Sequence, residues 1–247
     1  MPTILFTAGA KGGTGKSTAV RFLITYLREH GFDPLLLDLD EENRTLSRFF
    51  PEALRVEIRK TSSHDILVER AIQNNSLVIA DLKAGTGREM LNWWLDVPFN
   101  HLQSVGVRFI CLASITSSPD SVQSFLNWAL ALQKRVRYVV FRNFKDGDYL
   151  PDYDESDGAL RFRQQLFPHH VDIPRLDEEY ATELERLDLT IAEVLNSKNA
   201  KSDRGKDIGP VLCQLMVRAR LRRYQQNIYD QLDPILDLLK APNSSIS

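Results

Sequence analysis

Between the apolar run Ile4-Leu5-Phe6 and an amphipathic stretch starting near Ala19, the chain reads Ala10-Lys11-Gly12-Gly13-Thr14-Gly15-Lys16-Ser17-Thr18. Strand, glycine-rich turn and helix in that order let exposed backbone N–H groups and a helix N-terminus surround a phosphate. Lys16 has the reach for terminal phosphates, and the Ser17 hydroxyl is a hard oxygen suited to Mg²⁺. The loop departs from the plain G-x-x-x-x-G-K-[ST] form, since Ala10 occupies the first glycine position. It also carries a second lysine, Lys11, immediately before Gly12-Gly13.

The rest of the chain fits a fold that would hold such a loop. Short apolar runs recur at 3–8, 34–39, 76–81, 107–113 and 136–141, with helical patterns between several of them. Val20, Leu23, Ile24 and Leu27 follow helix spacing, as do Val122, Phe125, Leu126, Ala129 and Leu132. Nearly continuous apolar strands alternating with helices predict an α/β fold, a mostly parallel sheet covered by helices on both faces. Right-handed crossovers then gather the loops after the strands on one edge, where ligands of such sheets bind.

Two further segments place acids on that edge. Leu35-Leu36-Leu37-Asp38-Leu39-Asp40 ends a strand with carboxylates two residues apart, a spacing that points both to one face. One can support a metal and the other orient a water, or both can simply cap the turn. Leu77-Val78-Ile79-Ala80-Asp81 ends another strand in an acid, an oxygen ligand for a divalent cation. Gly85 and Gly87 follow in a stretch suited to sensing a γ-phosphate.

The Lys11–Thr18 loop, the Asp38-Leu39-Asp40 strand end and the segment from Asp81 resemble the ParA/MinD family of deviant P-loop ATPases. Thr116-Ser117-Ser118-Pro119-Asp120-Ser121 is similar to that family's short loop after the next core strand. Asn143 and Pro174 lie where the family contacts adenine. The resemblance spans about residues 2–195 and implies a three-layer P-loop fold with ATP and Mg²⁺ as cofactors. It implies slow, partner-stimulated hydrolysis of ATP in a nucleotide-sandwich homodimer. In that reading Gly12, Gly13, Thr14, Gly15 and Thr18 cradle the phosphates, and Lys16 contacts them within its own subunit. Lys11 reaches the partner's nucleotide, Ser17 ligates Mg²⁺, Asp38 and Asp81 support the metal, and Asp40 positions water. Glu41-Glu42-Asn43 and Leu82-Lys83 stand where family members often have other residues, which leaves the subfamily open.

Composition sets the bounds on partners. At 247 residues with 43% hydrophobic and 26% charged residues, the chain can bury one large core. A net charge of −2 makes any nucleic-acid contact a matter of a local patch. Cys111 and Cys213 lie far apart without metal spacing and read as reduced thiols. No apolar run has the length to cross a bilayer, so the expected location is cytoplasmic, at the nucleoid if DNA is bound.

Residues 1–196 read as the ATPase domain, 197–206 as a flexible polar connection, and 207–241 as a C-terminal helix packed on the same domain. That helix carries Arg218, Arg220, Arg222 and Arg223, a candidate patch for non-specific DNA or simply a solvated face. Ile235–Lys240 is apolar but contains Asp237 and a single lysine, a poor match to anionic lipid. The leading expectation is a ParA-like partition ATPase with a ParB-like or other activating adaptor. An accessory ATPase of conjugative transfer or mobile-element maintenance, a MinD-like positioning ATPase and a small-molecule ligase are the alternatives.

Overall fold

The computed structural model describes residues 1–9, 11–40, 44–56, 61–73, 76–83 and 87–240, with backbone alone at 61–64, 87–88 and 240. Ala10, Glu41-Glu42-Asn43, Gly85 and the terminal Asn243–Ser247 therefore lie outside the described residues. The chain opens with β1 (Thr3–Ala8), α1 (Lys16–Glu29), β2 (Leu35–Leu39), β3 (Leu54–Arg55) and α2 (Thr61–Gln73). It continues through β4 (Leu77–Leu82), α3 (Gly87–Asp96), α4 (Phe99–Ser104), β5 (Arg108–Ile115) and α5 (Pro119–Leu132). Then follow β6 (Arg137–Asn143), α6 (Pro151–Asp154), α7 (Asp157–Leu166), β7 (His169–Ile173), α8 (Glu178–Leu187) and α9 (Ile191–Asn196). Three helices close the chain: α10 (Pro210–Cys213), α11 (Leu215–Tyr229) and α12 (Asp233–Lys240).

The strands form one parallel sheet in the order β3-β2-β4-β1-β5-β6-β7. Alternation along each strand sorts its side chains into two cores. Leu5, Leu36, Ile79, Ile110 and Val139 face a core completed by α1 and the C-terminal helices. Ile4, Phe6, Val78, Phe109 and Val140 face the opposite core, built with α2 to α7. There the Phe6 ring stacks on the fully buried Trp94 at 3.9 Å. Because β1 lies at the centre, the loop leaving its C-terminal end sits between the ends of β4 and β5.

Three local readings change. The turn-rich stretch 142–158 begins as the end of β6 and contains α6, whose Tyr153 is fully buried. The polar stretch 197–206 folds into isolated bridges, Lys198 with Lys201 and Lys201 with Asp207. Arg204 ties that stretch back to α9 by an ion pair with Glu193. The C-terminal stripe divides at Asp230, and Pro234 takes the first turn of α12, where its missing N–H costs nothing. Val217, Leu221, Ile228, Leu232 and Ile235 from these helices enter the same core as α1.

Candidate functional site

The loop between β1 and α1 takes left-handed backbone at Gly9 (φ 97°), Gly13 (φ 71°) and Gly15 (φ 90°), conformations that side chains disfavour. Gly15 immediately precedes α1 and is its N-terminal cap residue. No side chain caps that helix end and its first turn holds no acid, so its N–H groups and positive end are left for an anion. Two neighbouring strands hold the loop from behind. Ser114 Oγ at the end of β5 donates to the Thr14 carbonyl at 2.8 Å, and Asn143 Nδ2 from β6 donates to it at 3.0 Å. Buried Thr14 Oγ1 has no hydrogen-bond partner among the described residues.

The loop's two lysines occupy opposite environments. Lys16 is 8% exposed and donates to the Lys11 carbonyl at 2.7 Å. Burial lowers its pKa, and the carboxylates of Asp81 and Asp40 oppose that shift. The Lys11 side chain is 46% exposed, with Nζ 3.2 Å from Asp120 Oδ2 in the first turn of α5. Ser121 Oγ stiffens the bend into α5 by donating to the Ser118 carbonyl at 2.8 Å.

Beside the loop stands a set of hard oxygens. Ser17 Oγ donates to Asp81 Oδ2 at 2.8 Å, and Thr45 Oγ1 approaches the same oxygen at 3.3 Å. Thr7 Oγ1 donates to Asp81 Oδ1 at 3.2 Å and accepts from the Leu82 N–H. Burial pushes the Asp81 carboxyl up to about 6; Ser17's hydrogen bond pulls it back, nearby Asp38 adds to the rise, and Lys16 again opposes it. A buried carboxylate flanked by hydroxyls is a donor set that fits Mg²⁺ alongside nucleotide phosphates. Among the described residues no group of three or more His, Cys, Asp or Glu could hold a metal by itself.

Asp38 lies near enough to Asp81 for its charge to raise that carboxyl's pKa, and Asp40 lies near enough to Lys16 to oppose the lowering there. Asp38 accepts the Asp40 N–H at 3.0 Å and the Ser47 N–H at 2.8 Å, one on each oxygen. These bonds fix the turn after β2 and take one acceptor site on each oxygen, so Asp38 shapes the turn and keeps acceptor capacity near Asp81. Asp40, 6% exposed, borders a cavity of 280 Å³ together with Gly12–Thr18, Thr45 and Arg48.

A second cavity of 630 Å³ runs along α1, bordered by Asn143, Ile173, Pro174, Leu184, Tyr224 and Gln225 among others. Asn143 and Pro174 thus share a wall, although Asn143 also spends its Oδ1 on the Lys145 N–H at 3.2 Å. The two cavities meet at Gly13, Gly15, Thr18, Arg21 and Glu185. Sequence reasoning missed Thr7, Thr45, Arg21 and Glu185. Arg21 reads as the solvated side of an amphipathic helix, and nothing local signals that α8 brings Glu185 across to it.

The four candidate arginines differ in their surroundings. At about 100° per residue they spread around α11. Arg218 bonds Ser197 Oγ and the Leu195 carbonyl, each at 2.8 Å, where its charge suits the C-terminal end of α9. Arg220 donates to Tyr180 Oη at 2.8 Å. Arg220, Arg222 and Arg223 are all exposed, the last two on the side that also shows Leu215 and Met216. Among the described residues no helix is long and apolar enough to cross a membrane.

A central parallel strand feeding a glycine loop and an uncapped helix, with a half-buried serine bonded to a buried Asp beside it, defines a P-loop nucleotide-binding protein. The chain belongs to the CobQ/CobB/MinD/ParA nucleotide-binding domain family, whose model matches residues 5–242. Among solved structures it is similar to MinD in the MinC:MinD cell division complex of Aquifex aeolicus (14% identity, TM-score 0.53, covering 95% of this chain and 96% of that one). The MinD cell division protein of the same organism gives 15% identity and a TM-score of 0.51, over 95% of this chain and 97% of that one. A plasmid partition protein of Borrelia burgdorferi B31 bound to AMPPNP gives 13% identity and a TM-score of 0.49, covering 94% and 98%. No curated protein sequence matches the chain.

Proposed function

We propose that this chain is a ParA-type switch ATPase: ATP closes a homodimer that holds DNA non-specifically, and hydrolysis, stimulated by an adaptor protein, releases it. The observation that carries this reading is the contrast between the loop's two lysines. Lys16 is buried within its own phosphate loop, whereas Lys11 leaves the same loop half-exposed and paired with Asp120 at the surface, where a second subunit's nucleotide can meet it. A cation supplied across an interface makes stabilisation of the transferring phosphoryl group depend on dimerisation.

In this reading the backbone of Gly12–Gly15 and the start of α1 cradle the phosphates, with Lys16 and Thr18. Ser17 and Asp81 hold Mg²⁺, which when bound neutralises phosphate charge. Asp38 fixes the turn that carries Asp40, and Asp40 orients the attacking water. The base lies in the larger cavity, along Asn143 and Pro174. That cavity and the exposed arginines share a helix: Tyr224 and Gln225 border it, while Arg222 and Arg223 of α11 face solvent. Occupancy of the cavity can thereby bias the surface offered to DNA.

DNA retention with ATP, with ADP and for Lys16→Ala tests the proposal. Retention with ATP alone is expected, and equal retention in all three conditions would reject a nucleotide-gated switch.

A further inference from the structure

The place where the two cavities join has its own chemistry. A nucleotide with phosphates in the 280 Å³ cavity and base in the 630 Å³ cavity must pass its sugar between Gly13, Gly15, Thr18, Arg21 and Glu185. Only three of these bring polar side chains. Arg21 donates to Thr18 Oγ1 at 2.9 Å and to Glu185 Oε1 at 2.5 Å, and its guanidinium lies 3.8 Å over the Phe49 ring. Its side chain is 13% exposed, whereas that of Glu185 is 50% exposed. Among the described residues nothing is bonded to the second oxygen, Glu185 Oε2.

The neck is braced from both sides. Arg48 donates to Asp188 Oδ1 through Nε at 2.9 Å and to the Glu185 carbonyl at 3.2 Å, tying the end of α8 to the turn after β2. A carboxylate fixed there is acceptor-only. It repels phosphate and rewards a neutral O–H donor. Between base and phosphates, the groups that answer this description are the sugar hydroxyls.

We infer that Glu185, oriented by Arg21, reads a ribose hydroxyl, so that the site selects ribonucleotides over deoxyribonucleotides. This rests on the nucleotide reading above.

Titration calorimetry of the full chain with Mg²⁺ and ATP, 2′-deoxy-ATP or 3′-deoxy-ATP tests the inference. A hydrogen bond to a charged group predicts ATP binding on the order of tenfold tighter than at least one deoxy analogue. Glu185→Ala should bind all three alike. Glu185→Gln, which keeps an oxygen acceptor without the charge, should narrow the preference and serves if the alanine variant unfolds. Equal affinity of the wild-type chain for all three nucleotides, or an undiminished preference in the variants, would overturn it. If the wild-type chain bound none of the three, the nucleotide reading itself would fall.

Discussion

Lys11 Nζ lies 3.2 Å from Asp120 Oδ2, so the lysine proposed to act across a dimer interface is held within its own chain by the first turn of α5. Both side chains are well exposed, and such pairs are worth about 0–1 kcal/mol. Asp120 is thus a weak tether that dimerisation exchanges for phosphate. Asp120→Asn should lower the protein concentration needed for half-maximal ATP-dependent dimer formation by up to about fivefold. Analytical ultracentrifugation across a dilution series checks this, and an unchanged midpoint would show that the pair restrains nothing.

The loop's shape depends on Gly15. A Cβ there would lie 2.3 Å from Asn143 Nδ2 and 3.5 Å from Ser114 Oγ, on backbone at φ +90°. Asn143 can swing away only by giving up its bond to the Thr14 carbonyl. Gly15→Ala should cost about 1–3 kcal/mol and lower Tm by several degrees. Nucleotide binding should be lost at temperatures where the variant is still folded. Thermal unfolding paired with calorimetry measures both.

The phosphate loop, the five central strands and the acids at their ends were legible because each is a local pattern: glycine spacing, continuous apolar runs, a terminal Asp. What escaped was set by topology. Strand β7, His169–Ile173, has only Val171 and Ile173 as apolar alternates, a weak signal for an edge strand. Its exposed edge is covered by Gln231, whose amide exchanges hydrogen bonds with the Asp172 backbone at 2.7 and 3.1 Å. Glu185 and Arg21 meet across 164 residues, and no spacing rule reaches that far. Asp38 and Asp40 illustrate the converse: their shared direction along a strand was readable, but the turn's demand for N–H acceptors was not.

His170 provides a pH test. Its Nε2 lies 2.8 Å from Tyr153 Oη on α6, and burial together with Arg142 and Arg163 lowers its pKa to about 4, while Asp172 opposes the shift. The folded chain keeps His170 neutral where the unfolded chain, with a pKa near 6.5, is protonated. Its contribution is complete above about pH 6.5 and is lost as pH falls toward 4. Wild-type Tm should therefore drop more steeply over that window than Tm of His170→Gln, by a few degrees. Parallel acid limbs would contradict the assignment.

DNA retention should divide the arginines. Each neutralised phosphate contributes about 0.9 to the salt slope of binding. Replacing Arg222 and Arg223 with alanine should reduce the slope by about two for each chain of the dimer while leaving Tm nearly unchanged. Arg218→Ala should leave the slope intact and lower Tm, because that guanidinium serves the Leu195 and Ser197 oxygens. Filter retention across a salt series distinguishes them.

The mass of the chain in solution with Mg²⁺ and a non-hydrolysable ATP analogue bears most directly on the switch. A dimer that forms with the analogue, is absent with ADP, and is lost in Lys11→Gln while that variant still binds nucleotide is the predicted result. A nucleotide-loaded wild-type chain that stays monomeric at every concentration, or a Lys11→Gln dimer as stable as the parent, would contradict it.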